Sequence, residues 1–476
     1  MQVSRFCMRT LFFILLLSLS GVVVSQTLEK KIAAAYQQFE KDGQLKYGLS
    51  SITVLNAETG EVVFASGENT GLAPASTLKT VTSVTAFNLL GKDFRWQTTL
   101  GYSGKVSNNV LDGDLIVTTS GDPSLGSSRY DQTGAPVILD RWASVIKNAG
   151  ITKVNGRIVI DDQLFGSQTT PQGWIWQDIG NYYGAGATAG NWRENQTGLL
   201  IRPGVRTGEP AVLSGTDPVI SGLQLVNELK TGSPGSGDNV YAYSAPYSNL
   251  VYVRGSYGID LKKTVMISVP DPAQLMGDEL KLRLTRNGIS ISGAAVTTRR
   301  LNQDGAQVPV RTGEFDKYSS PDLQKIVYWL NQKSINLYAE SILRTIALQE
   351  GKDASFQEGC RVMQSYWSKQ QGIDTDAIDL LDGSGLSPEN RITTLAMAKI
   401  LQSAWKAPWF NSFYESLPLY NNMKMKSGSI RNVLAYAGYQ KTREGTPLVF
   451  SFITNHYTGS TTPIRQKMFR MLDSLK

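Results

Sequence analysis

Ser76 and Lys79, in the run Ser76-Thr77-Leu78-Lys79, are the pair with which a covalent hydrolytic step can begin. A serine hydroxyl is a weak nucleophile until a base takes its proton. The 476-residue chain has one histidine, His456, so multi-histidine metal sites are excluded and a Ser-His-Asp triad has only that residue to use. Lysine serves as the base when burial or a neighbouring cation lowers its pKa. On a helix, residues three apart share a face, and the positive helix end favours an ionising oxygen. The spacing alone is weak, since Ser144/Lys147 and Ser403/Lys406 repeat it. Only Ser76, just behind Pro74-Ala75, opens its helix; Ser144 and Ser403 read as mid-helix residues.

One class of serine–lysine acyl enzymes adds two further elements, Ser-x-Asn on a loop leading into a helix and Lys-Ser/Thr-Gly on a strand beside the site. Each occurs twice. Ser107-Asn108-Asn109 sits between strand-like runs and reads as a hairpin turn, whereas Ser334-Ile335-Asn336 joins two helical runs. Lys230-Thr231-Gly232 runs into Ser233-Pro234-Gly235-Ser236-Gly237, where no strand can continue, while Lys426-Ser427-Gly428 leads toward Val433-Leu434-Ala435-Tyr436. The order 76, 334, 426 is therefore favoured over 76, 107, 230.

The elements that must position these groups follow from periodicity. Lys30 to Glu40 reads as a helix, and Leu49 to Leu55 with Glu61 to Ala65 as a hairpin. Leu78, Val81, Val84, Ala86, Leu89 and Leu90 form an apolar helical series that stops at Gly91. From Phe94 to about Val308 short strand-like runs alternate with glycine-marked loops. After Ser320 helices return, followed by strands at Asn432 to Tyr439 and Leu448 to Thr454 and a last helix from Ile464 to Leu475. The fold class expected is α/β, one domain made from both ends of the chain around a large β-rich insertion.

Arg5 and Arg9 precede the apolar run Leu11 to Val24, the pattern of a cleaved secretory signal over residues 1–25. Its removal lowers the net charge from +7 to +5, because those two arginines go with it. No block of basic residues points to nucleic acid. Cys360 is the one cysteine left, so the exported chain has no internal disulfide. Hydrophobic residues at 41% and charged residues at 18% supply a packed core rather than a disordered chain.

With these motifs, and with Ser120-Gly121-Asp122-Pro123-Ser124-Leu125, Trp174-Ile175-Trp176-Gln177-Asp178, Asp382-Gly383-Ser384-Gly385-Leu386-Ser387 and Ala437-Gly438-Tyr439, the chain resembles a known family. It is similar to the class C low-molecular-mass penicillin-binding proteins, the D-alanyl-D-alanine carboxypeptidase/endopeptidases of the penicillin-binding protein 4 type. The resemblance implies a serine β-lactamase/transpeptidase-like domain from residues 26–93 and 310–476. It also implies two inserted domains, one from 94–121 with 188–309 and one from 122–187. This would account for the distance between Ser76 and Ser334.

The same resemblance implies the roles. Ser76 attacks a D-Ala-D-Ala carbonyl and Lys79 takes its proton. Lys426 keeps Lys79 partly neutral and helps bind the substrate carboxylate, as do Ser427 and Gly428. Ser334 relays a proton to the leaving amine, and Asn336 orients Lys79 and a substrate amide. Backbone N–H groups of Ser76 and Ser429 form the oxyanion hole, and Asp178 meets the amino end of a diamino-acid side chain. The family usually has threonine where Ser427 stands; a hydroxyl is kept. No metal or cofactor is implied, β-lactams are the acylating inhibitors, peptidoglycan stem peptides are the substrates, and the setting is periplasmic. Loose membrane association and a homodimer stay open. Asp382 to Gly385 reads as a cleft-shaping turn, Trp174 and Trp176 as packing for the insert, Cys360 and His456 as buried or surface residues, and Arg465 is unassigned. The alternatives are a β-lactamase and a non-catalytic peptidoglycan-binding scaffold.

Overall fold

Side-chain alternation along Leu49–Asn56 sends Ile52 and Val54 to one side of the strand and Ser51 and Thr53 to the other, all of them buried. A sheet with both faces buried must carry a helical layer on each, and the computed structural model, which describes residues 27–476, has both. The expected signal segment, with Cys7, lies outside the described residues. The chain divides into two units: residues up to 84 with 364–380 and 388–476, and residues 85–363 with 381–387.

The first unit is built on a six-stranded sheet in the order Val62–Ser66, Leu49–Asn56, Pro447–Asn455, Val433–Lys441, Met423–Ile430, Leu419–Tyr420, every pair antiparallel. Pro447–Asn455 is buried along its whole length, as a central strand covered on both faces must be. Helices 27–40 and Thr461–Leu472 cover the Ile52/Val54 face, where Ile32, Tyr36, Phe39, Ile464 and Met468 pack with Phe450 and Phe452. On the other face Thr394, opening the helix Thr394–Ala404, shares hydroxyl hydrogen bonds with Ser51 at 2.6 Å and Thr53 at 3.0 Å. The other expected elements are present, but the helices Leu323–Lys333 and Asn336–Gln349 belong to the second unit.

The second unit contains a mixed five-stranded sheet, Ala295–Thr297, Ile158–Asp161, Leu115–Thr118, Gln97–Tyr102, Gly313–Ser319, whose first two pairs are parallel. Parallel pairs require long crossovers, and two helices in the middle block pack on this sheet. Ile138 and Trp142 from Ala135–Asn148, and Leu280 and Leu284 from Pro272–Arg286, meet Leu100, Val117 and Ile158 in one core. The second helix was not expected among the glycine-marked loops. Its start is nevertheless written locally: Asp271 accepts from the Gln274 amide, and Pro272 occupies the first turn. Two three-stranded sheets, one of them Gln224–Gly232, Leu250–Gly258 and Asp238–Tyr243, enclose a separate apolar cluster.

Both decoy motifs sit where expected. Asn108 and Asn109 adopt positive φ between the strands Lys105–Ser107 and Val110–Asp112, a two-residue hairpin turn. Lys230-Thr231-Gly232 ends its strand.

Candidate active site

Ser76 occupies the 3-10 turn Ala75–Thr77 that runs directly into the helix Leu78–Leu89. One turn along, Lys79 donates from Nζ to Ser76 Oγ at 3.0 Å. Lys79 has no exposed surface while Ser76 is half-buried, so the amine is dry and the hydroxyl can be reached. Just before the serine, Ala75 holds φ at 46°, a left-handed conformation that costs an L-residue ~1–2 kcal/mol. Such strain persists only where the surroundings over-determine it. Here Asn455, 4% exposed, does so: its Oδ1 accepts from Ala73 N at 2.9 Å and its Nδ2 donates to Ala73 O at 3.1 Å.

Lys426 lies on the strand Met423–Ile430 and is 2% exposed. Its Nζ donates to the Ser427 carbonyl at 2.7 Å. Burial, and next the charge of Lys79, hold this amine well below the usual lysine range. Gly428 explains itself by contact: a Cβ there would lie 2.6 Å from Pro74 O and 2.7 Å from the nitrogens of Ser76 and Thr77. Only glycine lets the strand come so close to the start of the nucleophile's helix. Leu419–Tyr420 pairs only as far as Lys424, so from Lys426 to Ile430 the strand has one neighbour, Val433–Lys441. Alternate backbone groups there point away from the sheet. Ser427 is half-buried and Ser429 exposed. Ser76, Lys79, Lys426 and Gly428 are thus brought together within one unit.

Ser334, Asn336 and Asp178 belong to the second unit. Ser334 caps the helix Leu323–Lys333 in left-handed conformation, φ 56° and ψ 44°, and Ile335 N donates back to Leu330 O at 3.1 Å. Asn336 then opens the helix Asn336–Gln349, and its Nδ2 donates to Tyr183 O at 2.7 Å. A cavity of about 430 Å³ is lined by Ser334, Ile335 and Asn336, with Tyr182, Tyr183 and Lys333 among the other walls. Asp178, in the short helix Trp176–Ile179, accepts from Tyr183 OH at 3.3 Å, and burial raises its pKa.

Three contacts had no signal in the sequence. Besides the Asn455 clamp, Tyr183 joins Asn336 to Asp178, and Trp174 Nε1 donates to Asp382 Oδ2 at 2.9 Å. Trp174 is buried as expected, but Trp176 is 57% exposed, with one face against Tyr243 at 4.9 Å between ring centroids. It therefore does not pack the interior: the helix it opens has only four residues and no buried position. Cys360 is buried and His456 exposed.

This geometry meets its relatives at the level of the whole chain. The sequence matches the D-Ala-D-Ala carboxypeptidase 3 (S13) family over residues 28–475. The chain belongs to that family. It is 26% identical over 448 residues to a D-alanyl-D-alanine carboxypeptidase of Actinomadura sp. (strain R39), spanning 88% of this chain and 80% of that one. It is 25% identical over 426 residues to D-alanyl-D-alanine carboxypeptidase DacB of Haemophilus influenzae, spanning 85% of each. Its fold matches the crystal structure of penicillin binding protein 4 (dacB) from Haemophilus influenzae with a TM-score of 0.75 at 23% identity, covering 90% of this chain and 95% of that one. The S13 assignment agrees with the expected family, and the fold with the α/β transpeptidase-like class.

Proposed function

We propose that this S13-family protein works through an acyl enzyme at Ser76, cutting the D-Ala-D-Ala bond of peptidoglycan stem peptides. The observation that carries the reading is the buried Lys79 amine at 3.0 Å from Ser76 Oγ, with Lys426 held below the lysine range beside it. A buried amine within hydrogen-bond reach of the hydroxyl can accept its proton as Ser76 attacks the penultimate D-Ala carbonyl. The oxyanion would be met by the backbone N–H groups of Ser76 and Ser429, donors of a kind that each contribute ~10²–10³ in rate. Ser334 passes a proton to the departing D-alanine amine, and Asn336 binds a substrate amide. Lys426, Ser427 and Gly428 receive the terminal carboxylate. Water then attacks the acyl-Ser76 ester, returning the hydroxyl and releasing the shortened stem.

A β-lactam is attacked in the same way, but its amine leaving group stays tethered, so the ester persists. The Haemophilus influenzae penicillin binding protein 4 has also been solved complexed with a β-lactam. The same chemistry on a peptide cross-link ending in a D-residue makes the enzyme an endopeptidase. Asp178, whose carboxyl sits half-buried against Tyr183, would take the free amine of a diamino-acid third residue. The basic-then-apolar leader before Gln26 supports export to the periplasm, and among the described residues no helix is long and apolar enough to cross a membrane.

The test is Ser76→Ala. It should lose both D-alanine release and covalent labelling by a fluorescent penicillin; labelled Ser76→Ala protein would show that another residue is the nucleophile. The family matched is a peptidase family, and the β-lactamase reading, which requires fast drug turnover, is not favoured.

A further inference from the structure

Asp382 is fully buried, yet its two carboxylate oxygens are aimed at three N–H groups. Oδ1 accepts from Gly385 N at 2.7 Å; Oδ2 accepts from Ser387 N at 2.7 Å and from Trp174 Nε1 at 2.9 Å. The first two bonds shape the turn itself. The third reaches across 208 residues of sequence and is the odd one, because a turn needs no indole.

Contacts on either side show what that bond holds. Gly173 holds φ at +81°, a conformation that L side chains rarely adopt, and a Cβ there would lie 2.4 Å from Ser387 Oγ. On the opposite side Gly383 N donates to Glu340 Oε2 at 3.0 Å, and a Cβ on Gly383 would lie 2.9 Å from Ala339 O. Glu340 stands one turn after Asn336 in the same helix. Asn336 donates to the Tyr183 carbonyl, and the Tyr183 hydroxyl donates to Asp178, four residues after Trp174. Gly184 keeps this last loop tight, since a Cβ there would meet Asp178 O at 1.9 Å. The contacts therefore close a ring within the second unit: Asp382, Trp174, Asp178, Tyr183, Asn336, Glu340, Gly383 and back to Asp382.

We propose that Asp382 is a positioning residue that, by gripping the Trp174 indole, sets where the Asp178 carboxylate stands and so how strongly the enzyme prefers a stem peptide with a free amine on its third residue. The inference rests on the reading of Asp178 as the receiver of that amine. Charge-assisted bonds of this kind are short and directional, and a carboxylate misplaced by a fraction of an ångström loses much of its bond to an ammonium.

Two pentapeptides ending in D-Ala-D-Ala test it, one with a free amine on a diamino third residue and one with that amine acetylated. The quantity read is the ratio of kcat/KM for the two. Asp178→Asn should collapse the ratio toward one. Trp174→Phe, which keeps the ring and removes the N–H, and Asp382→Asn should lower it by about three- to tenfold through KM for the free-amine peptide, with kcat within about twofold. If Asp382→Asn does not fold, Trp174→Phe carries the test alone. A ratio unchanged in Trp174→Phe, or an equal loss on both peptides, overturns the positioning role while a collapsed ratio in Asp178→Asn still upholds the recognition reading. A ratio unchanged in Asp178→Asn overturns both.

Discussion

Lys79 and Lys426 are buried together in the first unit, two amines of which the second feels the charge of the first. In the second unit Glu194 is buried too, but Arg129 meets it at two points, 2.7 and 3.0 Å, and Ser127 and Tyr338 each donate to it at 2.7 Å. Arg344, 1% exposed, is likewise surrounded by acceptors: the carbonyls of Phe165, Gln168, Ala187 and Ala354. Burial of charge is costly in both places. In the second unit hydrogen bonds, joined at Glu194 by an opposite charge, offset much of the cost, although burial still lowers the Arg344 guanidinium to about 10, and the groups fix structure. In the first, two amines share the dry space, and burial followed by the charge of Lys79 lowers the pKa of Lys426, a perturbation typical of a site built for proton transfer.

If that contrast is right, removing a charge should have opposite consequences in the two units. Lys79→Met should slow acylation by penicillin about 10³-fold, measured by stopped-flow or gel labelling, because general-base catalysis is worth ~10²–10⁴ and Lys79 is the amine bonded to the hydroxyl. Its melting temperature should not fall, since a like charge has been taken from beside Lys426. Arg129→Ala should do the reverse. It leaves Glu194 buried without its cation and should lower unfolding stability in urea by about 2–3 kcal/mol, less than the full value for a buried pair because Arg129 is 28% exposed.

A smaller effect separates positioning from charge. Asn455→Ala removes both bonds to Ala73 and should cost about 1–2 kcal/mol in stability, together with slower acylation, because the strained Ala75 backbone loses its clamp. An Asn455→Ala protein that is destabilised but acylates at the native rate would show that Ala75 is held by something else.

What was legible beforehand follows the range of the interaction. Ser76 and Lys79 lie one helical turn apart, and a proline-led helix start marks them without any knowledge of the fold. Lys426 to Gly428 could be chosen over Lys230 to Gly232 because glycine and proline after the latter forbid the strand to continue. Ser334 showed as a break between two helical periods. The clamps did not show: Asn455 reaches Ala73 across 382 residues and Asp382 reaches Trp174 across 208. No local propensity encodes either. The helix Pro272–Arg286 was missed for a different reason, since its cap and apolar spacing sit in a block whose glycines marked loops on every side.

A further effect is expected on stability against pH. Unfolded lysine binds its proton up to about 10.5, whereas Lys426 in the fold gives it up well below that. Between the two values the unfolded state holds more protons, so stability rises with pH there, and the cost is fully present below the folded pKa. The stability gap between the native protein and Lys426→Met should therefore narrow as pH rises toward 10.5, read by urea unfolding at a series of pH values.

The rate of acylation of Ser76 by a fluorescent penicillin, followed from acid to alkaline pH, addresses the paired amines most directly. The rate should fall on the acid side as the amine pair takes up a proton, with that limb far below 10.5. A limb near 10.5 would mean that the lysines beside Ser76 titrate as ordinary solvated amines, and it would contradict the account.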